Sequence, residues 1–374
     1  MKIFKQVLFV LFFFVFVWST PAVLFAQDEP SLDAMIGSMI MCGFRDAELN
    51  SQSPIWQRIA SGKLGHVILF DKDATTKGSR NIIDKEQLKR LTSALRLAAK
   101  RPMLIAIDQE GGLVCRLKPK LGFLPLEDAK TMGTKSAAYT RAQAKATAFE
   151  LRSYGITVDF APVADVETNT DNQTSRLGQQ LRCFGTDADT VFTHVAAFGQ
   201  GLIEGGIIPT LKHFPGLGCA GKDTHFVHVD VGACYSADRD LLPFQKAIHA
   251  GWPGLVMVSH STVPTLSHDA LPATLSPTII TEVLRNQLGF QGVVISDDLD
   301  MGAITTQFDR KKSIELAVLA GCDILLFGNN LKWDPDLPDF VFTTLKELIT
   351  SKRISEARIK ESWHRIHNLL ATIQ

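Results

Sequence analysis

The fold class that the 374-residue sequence predicts is α/β, a single (β/α)8 barrel of TIM type with its active site at the C-terminal ends of the strands. Three observations predict it. Apolar runs of strand length recur along the chain with helical segments between them, the alternation of an α/β fold. The runs are continuously apolar rather than alternating, as parallel strands covered on both faces should be. Polar and charged residues stand at the trailing end of run after run, and in a parallel barrel those ends form one face.

Seven runs read clearly as strands: HVILF (66–70), PMLIAID (102–108), TVDFAPVADV (157–166), IIPTLKHF (207–214), GLVMVSH (254–260), GVVISDDL (292–299) and CDILLFG (322–328). An eighth is expected near SMIMCGF (38–44), from a weaker signal. Between the strands, Asp84 opens DKEQLKRLTSALRLAAK with Gln87 three residues on, a capping-box-like start. Leu88, Leu91 and Leu95 then share one helical face. Ser276 followed by Pro277 marks another helix start, N-cap then first turn. Gly155 and Gly205 stand where the helices before the third and fourth of these strands should end. A doubly wound sheet is the competing architecture, but the DQEGGLV glycines do not have GxGxxG spacing.

Residues 1–26 are set apart from the expected barrel, 27–374. Lys2 and Lys5 precede the apolar run VLFVLFFFVFVW (7–18), then Pro21 and a small-residue end at Ala26, the three-part pattern of a secretory signal peptide. The run is short for a bilayer, which takes about 20 apolar residues. An uncleaved anchor is the alternative, and no cysteine follows the run to carry a lipid. The expected location is therefore exported, periplasmic or extracellular. Lys+Arg equals Asp+Glu at 39 each, with no basic block, so nothing points to a nucleic-acid partner. No stable membrane partner is expected once the signal is removed, and oligomeric state is left open. The six cysteines form no CxxC pair; Cys219 could join Cys234 or Cys183, and Cys322 reads as a packed core thiol.

The strand ends carry Asp108, Asp165, Lys212 with His213, Ser259 with His260, and Asp297 with Asp298. Charged groups from five strands converge on one pocket if the barrel forms. Asp165 could satisfy loop amides, Asp298 could cap the next turn, and His260 could be a hydrogen-bonded pocket wall. Asp297 is the strongest candidate for chemistry, because an ionised carboxylate there must be compensated. The stretch LKHFPGLGCAGKDTHFVHVDV (211–231) packs His213, His225, His228, Asp223 and Asp230 together. Metal binding is one reading, but its prolines and glycines break the HEXXH type of helical spacing, so neither metal nor cofactor is expected.

These residues lie in motifs that resemble the β-N-acetylglucosaminidases of glycoside hydrolase family 3: DQEGGLVCR (108–116), RCFG (182–185), KHFPGLG with KDTH (212–225) and ISDDLDMGAI (295–304), with APV-DV around Asp165 and PATLSP at 272–277. The resemblance covers about residues 33–370. It implies a barrel of retaining glycosidases in which Asp297 is the nucleophile that forms a glycosyl-enzyme. It makes His225 the general acid/base with Asp223 beside it, and an imidazole with an ordinary pKa of about 6.5 suits both donating and accepting near neutral pH. Sugar binding carries over to Asp108, Arg116, Arg182, Lys212 and His213, although Arg116 could instead serve a structural salt bridge. His228 and Asp230 fall outside the motif and read as loop surface.

Two positions depart from the family pattern: Leu217 stands where a histidine is usual after KHFPG, and Thr224 where serine is common. Leu217 removes a polar group near the loop's hinge, so loop dynamics or substrate preference should differ. The activity implied is removal of terminal GlcNAc from a glycan, with peptidoglycan fragments as the foremost substrate, although wall-recycling relatives are cytosolic. A phosphorylase on the same scaffold is an alternative, since a histidine acid/base tolerates an anionic acceptor. A glucoside or xyloside specificity is another, though such members generally carry a second α/β domain for which this length leaves no room. A non-catalytic wall-binding protein is the third, and it conflicts with the intact set of motif acids.

Overall fold

The computed structural model describes residues 29–170 and 173–373, so the expected export signal, 1–26, lies outside them. Eight short strands follow one another around a barrel: β1 (Ile40–Gly43), β2 (His66–Ile68), β3 (Ile105–Ile107), β4 (Val158–Asp159), β5 (Ile208–Phe214), β6 (Leu255–Val258), β7 (Val294–Ser296) and β8 (Leu325–Phe327). All neighbours pair in parallel, β1 also pairs with β8, and a parallel bridge between Ile295 and Ile324 closes the ring from β7 to β8. The weak run at 38–44 is therefore a barrel strand, with Met41 opposite His66 on one side and Ile40 opposite Leu325 on the other.

Every residue of these eight strands is buried, which is why their sequences do not alternate. The strands are shorter than the apolar runs. In TVDFAPVADV only two residues hold strand geometry, because Pro162 has no N–H to offer the ladder. Beyond it a bridge between Val163 and Lys212 keeps the chain beside β5, with the Ala164 amide donating to the Lys212 carbonyl at 2.6 Å.

The helix at Lys85–Ala99 starts as expected: the Asp84 carboxylate accepts from the Gln87 amide at 2.8 Å. The Gln87 side chain returns to the Ile83 amide rather than to that of Asp84. Leu88, Leu91 and Leu95 are fully buried, each contributing roughly 1.5–3 kcal/mol of hydrophobic stabilisation. Ser276 caps the next start, its hydroxyl accepting from the Ile279 amide, although the helix at Thr278–Gln287 is π-wound. Gly155 takes a left-handed φ of +76° just after the helix at Ala137–Ser153. The second expected stop is off by one residue, since Gly206 is the left-handed position (φ +79°) and Gly205 keeps φ −86°. Gly205 serves packing instead. A Cβ there would lie 2.3 Å from that of Ala148, so its absence lets the helix at Ala188–Glu204 lie close against Ala137–Ser153.

Of the two pairings left open, the disulfide joins Cys219 to Cys234; Cys183 is a buried free thiol, as are Cys42, Cys115 and Cys322. Among the described residues no helix is long and apolar enough to cross a membrane.

Candidate active site

The floor of the site is a network of five charged side chains around the ends of β3 and β5. Directly after β3 the chain makes a hairpin, Gln109–Gly111 with Val114–Cys115, whose turn is glycine because a Cβ on Gly111 would strike the Glu127 carbonyl oxygen at 2.0 Å. Gln109 braces the hairpin, its amide donating to Asp159 and its side-chain oxygen accepting from the Arg116 and Leu117 amides, each at 2.9 Å. Asp108 and Glu110 are two residues apart and so face the same side. Lys212 Nζ donates to both, at 3.2 Å to Asp108 and 2.6 Å to Glu110. Arg182 grips Glu110 with two parallel bonds of 2.7 and 2.8 Å. Arg116 donates to Asp108 at 2.9 Å, and its buried Nε has no partner among the described residues.

Electrostatics keeps this floor ionised. Burial alone would raise the pKa of Asp108, but the charges of Lys212 and Arg116 hold it well below the ordinary carboxylate range. Burial likewise opposes Glu110, and Arg182 and Lys212 bring it down to about 2. Asp159, buried beneath them with one oxygen unpartnered, is pushed well up, chiefly by burial.

The Lys212–His213 peptide is cis, and both side chains line the cavity. His213 Nδ1 sits 2.6 Å from Asp165, and Nε2 faces Arg182 at 3.4 Å. Asp165 also accepts from the Leu217 and His213 amides, so it both satisfies loop amides and orients the imidazole.

Asp297 follows β7 directly and accepts from the Asp298 amide at 2.8 Å. Burial would raise its pKa, but the imidazoles of His260, His213 and His225 outweigh that, and it lies below the ordinary value of 3.8. Asp298 caps the turn through the Asp300 amide, and burial together with the charge of Asp300 raises its own pKa. His260 is fully buried between the Thr274 hydroxyl (3.1 Å) and the Asp298 carbonyl (2.9 Å), a wall of the site.

Across the cavity, the loop after β5 presents Asp223 and His225. His225 Nδ1 is 2.7 Å from Asp223, whose other oxygen accepts from Arg176 at 3.2 Å. Desolvation disfavours a charged His225, yet the Asp223 bond and the charges of Asp297 and Asp223 raise its pKa above 6.5. His228 and Asp230 point elsewhere. His228 bonds the Thr262 hydroxyl at 2.7 Å, while the Asp230 carboxylate accepts from the Gly232 amide.

A cavity of about 180 Å³ brings together Asp108, Arg116, Arg182, Lys212, His213, His225 and Asp297 from the sequence reading. Asp223 borders a small adjoining recess with His225 and Asp297. Sequence reasoning missed Glu110, although its place two residues after Asp108 was a signal. Asp159 and Arg176 carried no such signal. Among the described residues no group of three or more His, Cys, Asp or Glu side chains is placed to hold a metal ion. A depression of about 420 Å³ bordered by Arg96, Arg101 and Arg152 shares no residue with this site.

Residues 31–369 match the glycosyl hydrolase family 3 N terminal domain. A beta-hexosaminidase of Xanthomonas oryzae is 34% identical over 297 residues, which is 77% of this chain and 83% of the relative. A family 3 beta-N-acetylglucosaminidase structure from Paenibacillus superposes with a TM-score of 0.83 at 30% identity, over 92% of this chain; the chain spans 63% of that structure's length. The beta-N-acetylhexosaminidase structure from Beutenbergia cavernae gives 0.80 at 28% identity, over 92% of this chain and 99% of the other. The chain belongs to glycosyl hydrolase family 3 and is a glycoside hydrolase, with carbohydrate as its substrate class.

Proposed function

We propose that this family 3 hydrolase is a retaining exo-β-N-acetylglucosaminidase. The observation that carries the reading is that Asp297 and His225 border one small cavity whose remaining walls hold a charged, ionised network of donors and acceptors. The beta-hexosaminidase relatives support the GlcNAc-type specificity. In the first step the Asp297 carboxylate attacks the anomeric carbon while protonated His225 gives its proton to the departing glycosidic oxygen. Neutral His225 then takes a proton from water, which attacks the anomeric carbon and releases the sugar from Asp297. Asp223 holds the ring and favours its charged form.

Asp108, Arg116, Arg182, Lys212 and His213 bind the sugar in this reading, with Glu110 fixing Arg182 and Lys212 between them. The small cavity supports removal of one terminal residue at a time. Residues 1–26 act as an export signal, and the disulfide fits an oxidising compartment outside the cytoplasm. Peptidoglycan fragments ending in GlcNAc are the proposed natural substrates. A product assay tests this: wall fragments and other GlcNAc oligosaccharides, each with and without phosphate. Free GlcNAc from wall fragments regardless of phosphate is expected. GlcNAc-1-phosphate would instead make the protein a phosphorylase, and cleavage of the other glycans alone would remove the wall substrate.

A further inference from the structure

The loop that carries Asp223 and His225 has two limbs and a tip. On the outgoing limb Leu217 is buried in a small apolar cluster with Leu177, Val229, Val231, Tyr235 and Val263, apart from the main barrel core. The residue that departs from the family pattern is thus an anchor. Gly218 presses against Val166, and the Ala220 carbonyl accepts from the Arg176 amide at 2.8 Å. Gly221 and Lys222 are then exposed, with open space around Gly221. The tip rests on the segment after β7, where the Gly302 amide donates to the His225 carbonyl (2.8 Å) and the Ala303 amide to that of Thr224 (3.0 Å). The returning limb pairs with Thr262 through Val229 and Val231, and ends at Cys234. Here the disulfide to Cys219 ties the limbs at their base, with 5.9 Å between Cα atoms.

We propose that the Cys219–Cys234 disulfide is a positioning element for the acid/base dyad, holding the loop so that His225 stays docked above Asp297. The inference rests on the reading of His225 as acid/base. His225 is half-exposed, and its docking on the barrel uses main-chain bonds from a tip that follows the exposed Gly221–Lys222 pair. Opening the disulfide leaves the Asp223–His225 bond intact, because that bond is local. What it releases is the placement of the pair relative to the glycosidic oxygen. Proton delivery should therefore suffer while nucleophilic attack does not.

The disulfide can be addressed selectively, since Cys234 is partly exposed and the other four cysteines are buried thiols. A dithiol transfers two electrons and two protons: one of its sulfurs attacks Cys234, its second closes the reagent's ring, and Cys219 and Cys234 leave as thiols.

The experiment uses the full chain in three forms: oxidised, dithiol-reduced, and the Cys219→Ser/Cys234→Ser double variant. Each is assayed on a nitrophenyl β-GlcNAc, whose leaving group needs no proton, and on a GlcNAc disaccharide, whose leaving group does. The kcat/KM for the disaccharide is expected to fall about tenfold or more on reduction while that for the nitrophenyl substrate stays within about twofold. The reason is that kcat/KM ends at the glycosylation step and leaves out the later water step in which His225 is the base. Equal falls on both substrates, or no change on either, would overturn the inference. If the double variant does not fold, the reduced protein decides alone. His225→Ala, run beside them, separates the failures. A leaving-group split in His225→Ala without one on reduction removes the clamp only. No split in His225→Ala removes the acid/base reading, and the clamp's proposed purpose with it.

Discussion

Two carboxylates at opposite ends of the barrel differ in how they are satisfied. Asp323, just before β8, accepts from Arg285 (2.6 Å), the Val294 amide (3.0 Å), the Ser362 hydroxyl (2.8 Å) and Arg365 (3.0 Å). Asp297, just after β7, accepts from one donor among the described residues, the Asp298 amide, and faces a cavity. Both carry the same group on neighbouring strands. A carboxylate saturated by protein donors has no lone pair to spend on a substrate and holds the fold together. One left under-coordinated beside histidines is stabilised as an anion and still free to attack. The carboxyl end of the strands carries chemistry, and the amino end carries structure.

The contrast predicts opposite failures. Asp297→Asn should lower turnover of a nitrophenyl β-GlcNAc by at least about 10⁴-fold, as loss of a nucleophile does, with little change in Tm. Ordinary turnover in that variant would remove Asp297 from the mechanism. His225→Ala should cost about 10²–10³-fold on a disaccharide and far less on the nitrophenyl substrate, checked by comparing kcat/KM for the two.

Glu110→Gln disturbs the floor rather than the reacting pair. Weakening a charge-assisted grip worth about 1.5–3 kcal/mol should lower kcat/KM by roughly 10–100-fold. An unchanged kcat/KM would show that Arg182 and Lys212 keep their places without it.

Asp223→Asn should move the alkaline limb of the pH profile. The His225 pKa is raised in part by Asp223, so the protonated acid persists above pH 6.5 and is lost as pH rises through the raised value. Removing the Asp223 charge should shift that limb to lower pH. A fixed limb in a kcat/KM profile would assign it to another group. The smallest effect on activity belongs to Asp323→Asn. Breaking a buried pair there should destabilise the protein by about 3–5 kcal/mol, seen as a lower Tm, while kcat below the melt is unchanged.

Much of this arrangement was legible in the sequence because parallel strands announce themselves. Continuous burial forces apolar runs, and residues that interrupt the apolar code at run ends stand out, as Asp108, Lys212, His213 and Asp297 do. The weak first strand was harder to read because four residues in SMIMCGF leave little pattern to count. Asp323 also ends up among strand residues, yet nothing in CDILLFG distinguishes it. Its partners Arg285, Ser362 and Arg365 lie on two helices, the second well beyond the strand in sequence, and only the closed barrel assembles them. The disulfide was open for a similar reason. Cys183 lies in the same apolar cluster as Cys219 and Cys234 packs against it, and neither placement can be read from cysteine spacing along the chain. Arg176 could not be anticipated either, because a short helix of four residues places it against Asp223.

Asp297 can be examined without inference from rates. The enzyme is mixed with an activated β-GlcNAc substrate, quenched in acid during turnover, and its intact mass and peptides are measured. A covalent adduct of one GlcNAc unit on the peptide containing Asp297, absent from Asp297→Asn, is the predicted result. An adduct on a different residue, or continued turnover by Asp297→Asn, would contradict it.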